Sequence, residues 1–412
     1  MQSALLLGAM ASSGSAEALR VGVIGTGCIG IEHLQNLHLL PHARVTAIAD
    51  PHPASLSRAT ECLSSLGDLD GVAVLSDYEE LIALPQVDAL ILCTPNDHHA
   101  LALPAIIASG KHCLVEKPLC TSVGDCARVA ALVEQGRARG ALYWCGMEYR
   151  YIPSIARLVR EASEGGIGEL RMLSIREHRF PFLQKVGHWN RYNARSGGTL
   201  VEKCCHFFDL MRLILRSEPY RIMATGGQDV NFLDEKHDGR PADTLDNAYV
   251  LVEFTSGARA CLELCMFAEA SKHQEELSLV GTRGKMEAFS PSHGTKTDDE
   301  SEVNFRRCLR NPAFTSGAWD RTEPPSPEEC GTIYEAHEAV DRALLEAGNH
   351  AGATYVELSR FVHAAQHGLP AEVSVADGAL AALMGIAAQR SVQTGNAVLW
   401  SDIMAEYEAA AK

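Results

Sequence analysis

The stretch LRVGVIGTGCIG sets Gly25, Gly27 and Gly30 between an apolar run and a helix-like one, and few folds accept that arrangement. The first glycine permits a tight turn, the second lets the backbone approach a pyrophosphate, and the third lets a helix pack close to the strand. Cys28 and Ile29 then open a helix whose positive N-terminus faces the phosphates. Asp50 closes the next apolar run, RVTAIAD, at the distance of about 20 residues at which a carboxylate meets the ribose hydroxyls. The same carboxylate repels a 2′-phosphate, so NAD is expected in preference to NADP. A glycine-rich turn without a ligand is the plainer account of the glycines alone; strand, glycines and acid in that order favour the dinucleotide.

Five strand-like runs alternate with helix-like stretches from Leu19 onward, ending at Gly25, Asp50, Leu75, Cys93 and Glu116, and ALYWC adds a sixth ending at Cys145. Such near-continuous apolar runs belong to parallel strands covered by helices on both faces. After Pro153 come long alternating runs, ELRMLSIREHRF, NAYVLVEFTSG, ARACLELCMF and EELSLVG, which fit an open, mostly antiparallel sheet. A chain of 412 residues is more naturally two cores than one. The fold class expected is α/β plus α+β, with a Rossmann domain over residues 19–146 and a substrate-binding, catalytic domain over 147–412. Within the latter, residues 290–331 are rich in Ser, Pro, Asp, Glu and Thr and are expected as a surface excursion. Helical periodicity is read in TIYEAHEAVDRALLEAG and in ADGALAALMGIAAQRSVQTG, which stops at Gly395.

Thr94, Pro95, Asn96, Asp97, His98 and His99 follow the fourth run, at the edge where open α/β sheets place ligands. Thr94, Pro95, Asn96 and His99 are cofactor candidates, and capping of the next helix by Asn96 or Asp97 is an equal alternative. Glu116 and Lys117 end the fifth run at the same edge, where an ammonium can hydrogen-bond a substrate hydroxyl and stabilise alkoxide character. A surface lysine at a strand end is the default for any Lys alone. Glu202 and His206, in SGGTLVEKCCHFFDLMRLIL, are four apart, with Asp209 one turn further, so on a continuous helix a carboxylate can support an imidazole base. A lone histidine on an amphipathic helix is more often structural. The stretch REHRFPFLQKVGHWNRYN offers His178, Arg179, His188, Trp189 and Arg191 as contacts for a hydroxylated ring, with a solvated loop anchored by Trp189 as the alternative.

These motifs, in this order and approximate spacing from about Leu19 to Gly395, resemble the Gfo/Idh/MocA family, the glucose-fructose oxidoreductase and inositol dehydrogenase group. The resemblance implies that Lys117 and His206 are the catalytic lysine and histidine and that His206 also contacts substrate. It sets Glu202 where many relatives carry aspartate, Glu148 where they often carry Asn, and Lys203 and Cys204 where small or apolar residues are common.

The function expected is NAD-dependent oxidation of a secondary hydroxyl on a cyclic polyol or sugar, with Lys117 and His206 handling the proton. Redox-neutral sugar chemistry on tightly held NAD and a non-catalytic dinucleotide sensor are the alternatives. The 36 basic against 52 acidic residues give a net charge of −16, which argues against nucleic acid and anionic membranes. No apolar run approaches the roughly 20 residues of a membrane span. Thirteen scattered cysteines suit a reducing, cytoplasmic setting better than a disulfide framework. No pair has C-x-x-C spacing, so no metal is expected. Residues 1–18 lack the positive start of a secretion signal and are read as a disordered leader. An exposed sheet face in the second domain would be covered by a homo-oligomer partner.

Overall fold

The computed structural model describes residues 17–291, 302–312 and 326–411. The leader's residues 1–16, and residues 292–301 and 313–325 of the expected surface excursion, lie outside the described residues.

Six strands, β1 (Leu19–Ile24), β2 (Ala43–Ala49), β3 (Ala73–Leu75), β4 (Ala89–Leu92), β5 (His112–Glu116) and β6 (Tyr143–Gly146), form a parallel sheet in the order β3-β2-β1-β4-β5-β6. Val21, Val23, Ile91, Leu92 and Leu114 are buried, as their apolar runs require. Strand order reverses between β1 and β4, which opens a crevice at the carboxyl edge. Steric contact explains two of the glycines. Gly25 has φ +88, and a Cβ there would stand 2.6 Å from the Cys93 carbonyl oxygen; one on Gly30 would stand 2.2 Å from the Gly25 oxygen.

The second sheet contains β7 (Leu170–His178), β8 (Pro219–Gly227), β11 (Asn247–Phe254), β12 (Arg259–Cys265), β13 (His273–Gly281), β14 (Gly284–Pro291), β15 (Phe305–Arg310), β16 (Gly331–Ala336) and β17 (Val398–Leu399). A small hairpin, β9 (Lys236–His237) and β10 (Arg240–Pro241), stands apart from it. The large sheet runs β16-β15-β14-β13-β7-β12-β11-β8-β17 and is antiparallel except between β7 and β12. Alternation sends Leu173, Ile175, Val250, Leu262 and Leu277 to the buried face, while Met172, Met223, Tyr249 and Leu251 stay exposed on the other. Among the described residues no helix is long and apolar enough to cross a membrane.

Two expectations are corrected here. The excursion at 290–331 contains the whole of β15 and the start of β16, with Phe305 fully buried beneath the Arg157 guanidinium, 4.6 Å from its ring centroid. A short strand next to the sheet edge can be rich in charge when one aromatic anchors it, which composition averaged over the segment conceals. TIYEAHEAVDRALLEAG likewise begins as a strand and is helical only over Arg342–Glu346. Thr332, Ile333 and Tyr334 are β-branched or aromatic and pair with β15.

The helix Val375–Thr394 forms as read, capped by a reciprocal Ser374–Asp377 box and ended by Gly395 at φ +69. It packs on the helix Val123–Arg137 of the first sheet's layer and on the short helix Thr199–Glu202, and so couples the two halves. Gly385 makes that approach possible, because a Cβ there would lie 2.4 Å from the Leu200 carbonyl oxygen. Gly385→Ala is expected to cost about 1–3 kcal/mol of stability through overpacking. Denaturant unfolding checks this; an unchanged midpoint would show that the helices separate without strain.

Candidate active site

At the cofactor end, Asp50 is held at the close of β2, its Oδ2 accepting from the Thr26 amide and its Oδ1 from the His52 amide, both at 2.8 Å. Nothing lies within 4 Å of a Cβ built on Gly27, and the helix Cys28–His38 has no side-chain cap on its first amides. The buried Thr94 hydroxyl has no partner. An open glycine turn, uncapped amides and an anchored carboxylate fit a dinucleotide. Cys28 and Ile29 open that helix as expected.

Neither Asn96 nor Asp97 caps the helix His99–Ser109, which has no side-chain cap. Asn96 donates to the Ser196 carbonyl at 3.0 Å, and Asp97 pairs with Arg195 at 2.8 Å, so both reach across to the second half of the chain. Pro95 precedes them at the strand end. The ring nitrogens of His99 face the Pro118 and Thr94 carbonyl oxygens at 2.9 and 3.1 Å; burial lowers its pKa, so the neutral ring donates its one N–H to one of the two.

Glu116 and Lys117 end β5. Glu116 lies 2.7 Å from His33 Nε2 and accepts from the Lys117 amide at 3.1 Å. Lys117 Nζ donates to the Glu202 carbonyl at 3.3 Å. Burial disfavours its ammonium, but Cys205 and the carboxylates of Glu148, Glu116 and Glu202 outweigh that and hold its pKa above the ordinary lysine value. His206 is fully buried and stacks on Tyr149, with ring centroids 4.1 Å apart. Burial, reinforced by Lys117, Lys203, His350 and Arg179, pushes its pKa well below the ordinary histidine value, so the imidazole is neutral. Its Nδ1 has no hydrogen-bond partner, and its Nε2 faces Glu148 Oε1 at 3.5 Å.

The expected support of His206 by Glu202 is corrected. The helix is interrupted at Lys203 and Cys204 between Thr199–Glu202 and Cys205–Leu215, so a four-residue spacing no longer stacks the two side chains. Among the described residues no ion pair or hydrogen bond joins them. Asp209 is also committed elsewhere, accepting from Arg150 Nη2 at 2.5 Å and from Arg150 Nε at 2.6 Å. Glu148 takes the carboxylate's place, linked onward at 3.7 Å to His350, which binds Glu32 at 2.8 Å. Sequence reasoning noted Glu148 only as a departure and missed Tyr149, His350 and Glu32. A histidine in a Gly- and Ala-rich turn carries no signal of its destination.

The substrate candidates separate into two groups. Arg179 and Arg191, with the unanticipated Lys185, act electrostatically on the Glu202 carboxyl and thus flank the site. Arg179 also pairs with Glu177 at 3.4 Å, and Arg191 with Glu235 at 3.0 Å. His178 is tied to Glu263 at 3.1 Å, Trp189 is buried as an anchor, and His188 stacks on His237.

Residues 19–142 match the family model described as oxidoreductase family, NAD-binding Rossmann fold, and residues 160–399 match the same family's C-terminal alpha/beta domain. The chain is 26% identical over 391 residues to a myo-inositol 2-dehydrogenase of Thermotoga maritima, spanning 94% of this chain and 100% of that one. It is 28% identical over 270 residues to an inositol 2-dehydrogenase of Rhizobium meliloti, spanning 66% and 75% respectively. The solved structure of an oxidoreductase domain protein from Kribbella flavida shares the fold with a TM-score of 0.75 at 20% identity, over 93% of this chain and 99% of that one.

Burial pushes the Glu202 carboxyl up to about 7 from its ordinary 4.5, against the pull of Lys117, Lys185, Arg179 and Arg191. The folded state therefore holds this proton more tightly than the unfolded one. The stability it contributes is complete below pH 4.5 and is lost as pH rises to about 7. Glu202→Gln keeps the neutral form throughout, so it is expected to flatten that decline and to raise stability at pH 8 by roughly 3 kcal/mol at most. Thermal melts of both proteins from acid to mildly alkaline pH check this; parallel curves would place the carboxylate in contact with solvent.

Proposed function

This chain belongs to the Gfo/Idh/MocA oxidoreductase family, and on that premise we propose that it oxidises a secondary hydroxyl of a cyclic polyol or sugar with NAD. The observation that carries the reading is a buried, neutral His206 within electrostatic reach of a Lys117 whose ammonium is held charged. A base must be unprotonated before it can accept a hydroxyl proton, and a charged donor must meet the oxygen as negative charge develops. The inositol dehydrogenases among its relatives support the substrate class.

The glycine turn of Gly25, Gly27 and Gly30, the amides of Cys28 and Ile29, Asp50, Thr94, Pro95, Asn96 and Glu116 would hold the dinucleotide. Bound there, NAD supplies the hydride acceptor. His206 accepts the hydroxyl proton at Nδ1, the nitrogen left without a partner. Glu148, facing Nε2, supports the imidazolium that results. Stacking on Tyr149 fixes the plane of the ring. Lys117 hydrogen-bonds the same substrate oxygen and stabilises its alkoxide character. Arg179 and Arg191 supply donors for the remaining hydroxyls.

Absorbance of NADH with NAD and a panel of inositols and monosaccharides, run beside NADP, tests the proposal. A rise with NAD and at least one ring is expected, and preference for NADP would overturn the role given to Asp50. His206→Ala is expected to lower kcat by about 10²–10⁴-fold while NAD still binds. The acid limb of kcat/KM is expected to fall below pH 6.5, since His206 loses its base form only under its depressed pKa. NAD retained through turnover without NADH release would move the reading to redox-neutral chemistry.

A further inference from the structure

Two imidazoles and a carboxylate converge at a place the proposed reaction does not use. His188 lies in the turn before the helix Asn193–Ser196, while Glu235 and His237 flank the start of the β9–β10 hairpin. One ligand-capable atom from each lies within 4.8 Å of the others. The two rings are stacked with centroids 3.5 Å apart. His237 Nε2 is 2.5 Å from Glu235 Oε1, and His188 Nδ1 is 3.8 Å from the same oxygen. That Nδ1 is buried and has no hydrogen-bond partner. The backbone at His188 is left-handed, with φ +51, directly after Gly187 at φ +63. A histidine adopts this conformation against its steric preference, and here it brings the imidazole onto its fellow. The three side chains are 28%, 26% and 24% exposed, so an ion can enter from solvent.

We propose that His188, Glu235 and His237 form a binding site for a divalent transition-metal ion of the zinc type. Two imidazole nitrogens and one carboxylate suit zinc, nickel or copper, whereas magnesium and calcium prefer oxygen donors throughout. The ion takes Nδ1 of His188, Nε2 of His237 and one oxygen of Glu235, and water fills the fourth position on the open side. Nitrogen ligands about 2.05 Å from zinc in a tetrahedron stand roughly 3.3 Å apart and bind through lone pairs in the ring planes, so on binding the part-exposed rings turn out of their stack and the wider separations close. The ion displaces the proton shared between His237 and Glu235. Arg191 Nε also donates to Oε1 at 3.0 Å, and its charge tempers the affinity by repulsion. An ion held here ties the turn that carries Trp189 and Arg191 to the hairpin.

Calorimetric titration of the chelator-treated full chain with zinc chloride tests the site without reference to turnover. One ion per chain at micromolar or tighter affinity is expected, with a rise in Tm. His188→Ala and His237→Ala should each weaken binding at least tenfold. His363→Ala should leave it unchanged, although His363 and His367 also lie side by side with rings 4.2 Å apart. Circular dichroism identifies any variant that has unfolded, and His188→Gln then replaces it, with the same tenfold weakening expected. Absence of binding at 100 µM zinc overturns the proposal, as does binding that survives loss of either His188 or His237 or that disappears with His363→Ala.

Discussion

The site depends on the seam where the carboxyl edge of the first sheet meets residues 193–206. Among the described residues, the contacts that cross it include Asn96 to the Ser196 carbonyl, Asp97 to Arg195, and Lys117 to the Glu202 carbonyl. Each joins a strand-end loop to a segment far along the chain, and each hydrogen bond contributes only about 1 kcal/mol net. Their importance is positional. They bring the lysine that ends β5 toward the element carrying the histidine, and Gly385 lets the long helix behind approach the short helix Thr199–Glu202 that precedes that element.

Around this seam the protein buries more ionisable groups than a core normally tolerates, and pairing is what permits it. Lys203 lies 2.9 Å from Glu177 and donates to the Tyr149 hydroxyl at 2.5 Å; that hydroxyl donates in turn to Glu275 at 3.0 Å. The same tyrosine ring stacks on His206. One aromatic side chain therefore braces both the proposed base and a buried charge cluster. The cationic side of that cluster also keeps the base neutral, since Lys203 and Arg179 both depress His206. Packing and protonation state are set by the same residues.

Much of the first domain was legible because its requirements are steric. Gly25 and Gly30 stand where a Cβ would strike backbone, and the apolar runs show which strands are covered on both faces. The second sheet was legible from alternation in β7, β11, β12 and β13. β16, at the edge, and its neighbour β15 were not, since strands at this margin need few apolar residues and show little period. His99 was read at the right edge of the sheet, but its contacts depend on ring orientation, which spacing does not encode. The partnership of Glu202 with His206 assumed an unbroken helix, and the break at Lys203–Cys204 removes the premise.

That break also orders the departures from the family pattern. With Glu202 on a separate short helix, its carboxyl lies within electrostatic reach of Lys117, Lys185, Arg179 and Arg191, and Glu148 becomes the carboxylate beside His206. A carboxylate and an imidazole thus remain together although the carboxylate comes from another element. Lys203, unusual for its position, brings no unpaired charge, because Glu177 is fully buried against it and would itself be stranded if Lys203 alone were lost. The departures form a charge-balanced set that keeps a carboxylate beside the proposed base. They alter the charge around Glu202, Arg179 and Arg191, so on the proposed reading it is there that the choice of ring would be set.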